Sequence, residues 1–147
     1  MHRGGIILLA LVLVVAGILA SCGAPTDGTA EGTAEVHFYQ GNKLDSQGRY
    51  DEAIEEFTKA IELNPNMANA YFNRGNSYGK LGQFERAIQD YDEVISLNPQ
   101  DASAYINRGN CYDKLGQLEQ AIKNFDEAIR LDPGHAVASR ASSPLIS

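Results

Sequence analysis

Residues 70–83 read AYFNRGNSYGKLGQ, and residues 104–117 read AYINRGNCYDKLGQ. Fourteen residues recur almost unchanged after 34 positions. A copy at a fixed spacing of this size marks an array of similar units, not one irregular domain. Laid out from Ala34 in steps of 34, the chain stacks into three units, 34–67, 68–101 and 102–135. Sparse positions agree in register: Gly41, Gly75 and Gly109; Ala53, Ala87 and Ala121; Phe57, Tyr91 and Phe125; Ala60, Val94 and Ala128; Pro65, Pro99 and Pro133.

Each unit carries two stretches of apolar residues at helical spacing. Ala53, Ile54, Phe57, Ala60 and Ile61 form one stripe of a helix. Gly48, Gly82 and Gly116 stand where a helix end favours a residue free to take positive φ. Pro65, Pro99 and Pro133 follow the second stretch and bias the preceding residue out of the helical region. Gly41, Gly75 and Gly109 lie inside a helix, where Gly costs about 1 kcal/mol relative to Ala. Close approach of the partner helix, through Ala53, Ala87 and Ala121, is the expected compensation. The reading is all-α, with helices near 34–47, 51–64, 68–81, 85–98, 102–115 and 119–132. One helix pair cannot bury its own apolar face, but stacked pairs can, so each copy serves as core partner to the next.

This pattern resembles the tetratricopeptide repeat (TPR), over 102 residues. Tyr71 and Tyr105 fill the repeat's early aromatic site, whereas His37 stands there in the first unit, where a polar cap is expected. The resemblance implies a right-handed α-solenoid of three helix-turn-helix repeats, with the first helices lining a concave groove. It also implies binding of another protein, through an extended peptide segment or a helix. Three rows would face the groove: Asn42, Asn76 and Asn110; Phe38, Phe72 and Ile106; Tyr39, Asn73 and Asn107. Asn offers both a donor and an acceptor, so a ladder of them suits peptide amides; the alternative is that the row ties helices to one another. Replacing Asn76 and Asn110 with Ala is expected to weaken partner capture without unfolding the chain. Arg74 and Arg108 either reach groove ligands or pair with acids of neighbouring helices. The family's grip on terminal carboxylates uses Lys, Asn, Asn, Lys and Arg. Here those places hold Phe38, Asn42, Asn73, Ser103 and Asn107, so the cations are missing and that clamp is not expected.

The N-terminus is a separate object. After Arg3, Ile6 begins an apolar run that reaches Ala20, short of the roughly 20 residues of a bilayer span and suited to a secretory signal. Its exit, Leu19-Ala20-Ser21-Cys22, resembles the lipobox of bacterial lipoproteins. That resemblance implies removal of residues 1–21 and lipidation of Cys22, hence a protein of the bacterial cell envelope held to a membrane through lipid. Gly23 in place of Asp leans towards the outer membrane where two membranes exist. Residues 22–33 have no large apolar side chain and read as a flexible tether, with a span of roughly 18 Å. At the other end, residues 136–147 begin like a fourth unit but lack its aromatic. They form a short capping stub, or else the last helix stays open for self-association through Leu118, Ile122, Phe125 and Ile129.

Charge separates along the same lines. The chain carries a formal charge of −7. The first helices hold Lys43, Arg74, Lys80, Arg108 and Lys114 against Glu35, Asp45 and Asp113, while the second helices hold thirteen acids against Lys59, Arg86, Lys123 and Arg130. An acidic chain without a basic run is unsuited to nucleic acid. No cofactor, metal site or enzymatic activity is expected. Of the His residues outside the signal, His37 and His135 stand near opposite ends of the stack. Cys22 and Cys111 form no metal or redox spacing, and Cys111 has no recurring base beside it.

Overall fold

The structure, a computed structural model, describes residues 29–134. Residues 1–28 and 135–147, where the signal, the lipidated Cys22 and the capping stub are expected, lie outside the described residues. Six helices follow in order: α1 Thr29–Ser46, α2 Tyr50–Leu63, α3 Ala68–Lys80, α4 Phe84–Leu97, α5 Ala102–Lys114 and α6 Leu118–Leu131. From α2 onward both ends fall within one residue of the expected borders. The first helix departs: it begins at Thr29, not at 34, so residues 29–33 of the expected tether are helical. The fully buried Ala34 begins the packed part of this helix.

The short turns have a common chemistry. Gly48, Gly82 and Gly116 take φ of 75°, 74° and 73°. Each Gly N–H is bonded to a carbonyl three residues back, and the next N–H reaches five residues back, as in Arg49 N to Leu44 O at 3.0 Å. This is the glycine-terminated helix end that satisfies otherwise orphaned carbonyls. The longer turns use side chains instead. Asn64 and Asn98 accept from the backbone two residues on, at 3.1 and 3.3 Å. Asp101 caps α5 by accepting from Ser103 N and Ala104 N, the arrangement expected of an N-cap carboxylate.

Within each pair the helices meet at the interior glycines. A Cβ on Gly41 would sit 2.6 Å from the Phe57 ring, one on Gly75 3.0 Å from the Tyr91 ring, and one on Gly109 2.8 Å from the Phe125 ring. The glycines therefore make room for the aromatic row of the second helix. The expected alanines are buried, Ala53 and Ala87 at 0% exposure, but they are not what the glycines face.

Between pairs the core is shared. Tyr78, Ala87, Ile88, Tyr91 and Cys111 form one buried cluster, flanked by Ile54 from the first unit and Tyr112 and Leu115 from the third. α1 touches α3 and α3 touches α5, whereas α2, α4 and α6 do not touch one another. The odd helices therefore form the inner row of a curved stack and the even helices its outer row.

Candidate peptide-binding groove

The inner row does not present its residues as the sequence pattern alone would place them. Asn73 Nδ2 donates to Asn42 Oδ1 at 2.6 Å, and Asn107 Nδ2 donates to Asn76 Oδ1 at 3.0 Å. Two of the expected rows thus tie each repeat to the next. Asn76 Oδ1 also accepts from the hydroxyl of Tyr91 at 2.7 Å, and Tyr91 is nearly fully buried. Asn76 is therefore part of the packing, and its replacement would remove the acceptor of the Tyr91 hydroxyl. Asn76→Ala is thus expected to cost stability as well as any capture, whereas the expected double replacement counts it as a surface change. Among the described residues no buried side-chain N or O lacks a partner, so the remaining polar atoms of these amides reach solvent.

The apolar row is also largely committed to the core. Ile106 is 4% exposed and packs with Ala128, so it does not line the groove as expected; its side chain has turned to the second helix of its own unit. Phe38 is half-buried, with its ring 6.0 Å from that of Phe57. Phe72 is half-buried and edge-on to Tyr91 at 5.8 Å. Tyr39 is the exception, standing 71% exposed at the outer end of the stack.

Arg74 and Arg108 pair with neighbouring helices. Arg74 makes a two-pronged contact to Asp90, at 2.9 and 2.7 Å, and reaches back to Thr58 of the preceding unit at 3.0 Å. Arg108 repeats the geometry with its partners exchanged: neutral Asn124 in its own unit at 2.7 Å and charged Asp92 in the preceding one at 2.5 Å. Each arginine is a bolt between consecutive repeats. Burial raises the Asp90 carboxyl against the pull of Arg74, the desolvation cost that a buried ion pair carries. His37 is also held by a neighbour, with Nδ1 2.6 Å from Glu56 Oε2, consistent with its expected place as a polar cap.

The inner face opens into a cleft of about 330 Å³ between the second and third repeats. Asn76, Gly79 and Lys80 of α3 form one wall, Asn107, Asn110, Cys111 and Lys114 of α5 the other, and Phe84 and Tyr91 of α4 lie between them. Its composition suits a polypeptide: aromatic surface for a side chain, amides for a backbone, and ammonium groups for an acid. No carboxylate lines it. Asn110 is exposed, and no repeat follows α5 and α6 among the described residues to occupy its amide. Of the expected site residues, the structure brings together Asn76, Asn107 and Asn110 here. The sequence reading did not single out Gly79, Lys80, Phe84 or Lys114 for the site. The signal was present in the register, since Asp45 and Asp113 flank a glycine at the equivalent place in the second unit.

Cys111 does not bring chemistry to this cleft. Burial pushes its thiol up to about 11, so it stays protonated and un-nucleophilic near neutrality. Among the described residues no group of three or more His, Cys, Asp and Glu could hold a metal ion, and no helix is long and apolar enough to cross a membrane.

Comparison with known families decides the classification. Residues 68–101 and 102–135 match the tetratricopeptide repeat, and residues 41–82 match a further TPR repeat description. The chain belongs to the tetratricopeptide repeat family. Solved TPR domains superpose on it closely. The Arabidopsis OM64 TPR domain is 26% identical with a TM-score of 0.72, over 76% of this chain and 94% of that one. The first TPR of Spaghetti (RPAP3), bound to the HSP90 peptide SRMEEVD, is 30% identical with a TM-score of 0.69, over 82% of this chain and 100% of that one. The second TPR domain of human RPAP3, in complex with the HSP70 peptide SGPTIEEVD, is 29% identical with a TM-score of 0.72, over 76% and 95% of the two chains. No curated protein sequence matches significantly. TPR folds of this kind are protein-interaction modules, and two of these neighbours hold a peptide.

Proposed function

We propose that this TPR chain is a membrane-tethered binding module of the bacterial cell envelope. Lipid on Cys22 would hold it to a membrane, the outer one where there are two. Its concave face would take an extended peptide or helix of another envelope protein, as a scaffold or assembly factor. The cleft between the second and third repeats carries this reading, because Asn110, Lys114 and Phe84 there combine amide, cation and aromatic surface. The peptide complexes of its structural neighbours support the same use of the fold. The lipobox-like Leu19-Ala20-Ser21-Cys22 supports the tether.

Two measurements test the reading separately. Metabolic labelling with an alkyne fatty acid is expected to mark the chain and to fail in Cys22→Ser; equal labelling of both would remove the tether. Pull-down of envelope proteins by the full chain is expected to weaken in Asn110→Ala at unchanged helical content. Unchanged capture would remove the groove.

A second reading has its own observation. Ile88 is 8% exposed beneath the third repeat, whereas the equivalent Ile122 is 57% exposed, with Leu118 at 56% beside it. This apolar strip on α6 would support self-association. Concentration-dependent mass in sedimentation, abolished by Ile122→Lys, is the result that reading expects; a monomer at every concentration excludes it.

A further inference from the structure

The two junctions between repeats are built on the same plan but differ at one position. At the first, Asp45 of α1 receives Lys80 Nζ at 2.6 Å and the Ser77 hydroxyl at 2.8 Å, both from α3. The Lys80 ammonium also lies over the Tyr50 ring, 5.0 Å from its centre. One repeat later, Lys114 takes the place of Lys80, Cys111 that of Ser77 and Phe84 that of Tyr50. The residue in the place of Asp45 is Gly79. A Cβ on Gly79 would meet nothing within 4 Å, and the space is part of the cleft. Lys114 is exposed and makes no ion pair or hydrogen bond among the described residues. Asn110 stands one helical turn before it on the same wall.

We infer that this junction receives its carboxylate from the partner: an Asp or Glu side chain of a bound peptide enters over Gly79 and pairs with Lys114. The inference rests on the groove reading and names the chemistry of its ligand. The cation is in place, no competing acid lines the cleft, and the first junction shows that a carboxylate fits between helices at this position. Asn110 supplies a free amide to the peptide backbone beside the acid, and Phe84 supplies an apolar floor for a neighbouring side chain. An acidic peptide would meet repulsion from the acid-rich outer helices, so charge directs it to the inner face. The positions involved differ from those of the family's terminal-carboxylate clamp, whose cations are missing here.

The test offers the immobilised full chain, in detergent, two pools of randomised decapeptides. One pool has Glu fixed at a central position and the other has Gln. The Glu pool is expected to be retained about tenfold better, the scale of a charge-assisted hydrogen bond. Lys114→Ala should reduce that ratio to near one. Gly79→Asp should do the same by supplying the carboxylate from within the chain, at unchanged helical content. Lys43→Ala, on α1 and away from the cleft, should leave the ratio intact. Equal retention of the two pools overturns the inference while leaving the groove in use. Retention of neither overturns both the inference and the groove reading. A Glu preference that persists in Lys114→Ala and Gly79→Asp puts the acid elsewhere and overturns the inference alone.

Discussion

The first inter-repeat junction is closed on itself and the second is open. Asp45, Lys80 and Ser77 satisfy one another across the first. Gly79, Lys114 and Cys111 leave a cleft in the second. The difference teaches that a repeat protein can hold its architecture with one set of residues and vary its surface with another. The bolts that set register, Asn42 with Asn73, Asn76 with Asn107, and the two arginines, are present at both junctions. The arginines keep their place with charged and neutral partners exchanged, and the larger change is around the carboxylate site.

The contrast can be broken most strongly at the bolts. Arg74→Met strands Asp90, which is 4% exposed, and is expected to cost about 3–5 kcal/mol, as for a buried pair losing one partner. Arg108→Met should cost less, because its buried partner Asn124 is neutral and Asp92 is half exposed at 51%. Urea unfolding of the two variants checks the order; equal losses would show that the exchange of partners is without consequence. Adding Asp90→Leu to Arg74→Met should recover most of the loss, since it removes the stranded charge.

Smaller effects separate structural residues from surface ones. Asn76→Ala leaves the Tyr91 hydroxyl without its acceptor and is expected to cost about 1–3 kcal/mol, whereas Asn110→Ala should stay within about 0.5 kcal/mol. The glycines offer a parallel pair. Gly41→Ala forces a methyl against the Phe57 ring and should destabilise by about 1–3 kcal/mol. Gly79→Ala adds a methyl to open space and should stabilise by up to about 1 kcal/mol through helix propensity. Thermal melts of the four variants test both contrasts, and a loss in Gly79→Ala would mean that the cleft floor is less open than it stands here.

The smallest expected effect is a pH dependence at the capped end. His37 and then Lys59 hold the Glu56 carboxyl below its ordinary value. A depressed carboxyl gives stability that is complete above its unfolded pKa, about 4.3, and is lost as pH falls through the lower folded value. Wild type and Glu56→Gln should therefore differ above about pH 4.5 and converge in stronger acid. A difference that grows on acidification would contradict this sign.

Much of this architecture was legible in the sequence, because it follows from periodicity and from residues with one job. Gly48, Gly82 and Gly116 sit at the positive φ that helix ends favour, and the apolar stripes placed α2 to α6 to within a residue. The groove was less legible. Its residues belong to rows that recur in every unit, and recurrence cannot tell an amide that binds a peptide from one that binds the next repeat. Asn76 and Asn110 share a column yet differ in surroundings, because among the described residues only Asn76 has a following repeat, with Asn107 bonded to it. Ile106 shares a column with Phe38 and Phe72 but turns into the core with Ala128. The start of α1 was missed because residues 29–33 carry no apolar stripe to mark them. The open cleft was written in a departure from the repeat, Gly79 where Asp45 and Asp113 flank it, which a search for agreement passes over.

The central claim is that the open junction is where this chain meets its partner. The most direct test is site-specific photo-crosslinking in the native host. A photo-reactive residue stands at Asn110 on the inner face and, in a second strain, at exposed Leu97 on the outer row. The account predicts that Asn110 repeatedly captures one envelope protein through a segment bearing Asp or Glu, and that Leu97 does not. Capture of the same protein from both positions, or of nothing but a second copy of the chain from Asn110, would contradict it.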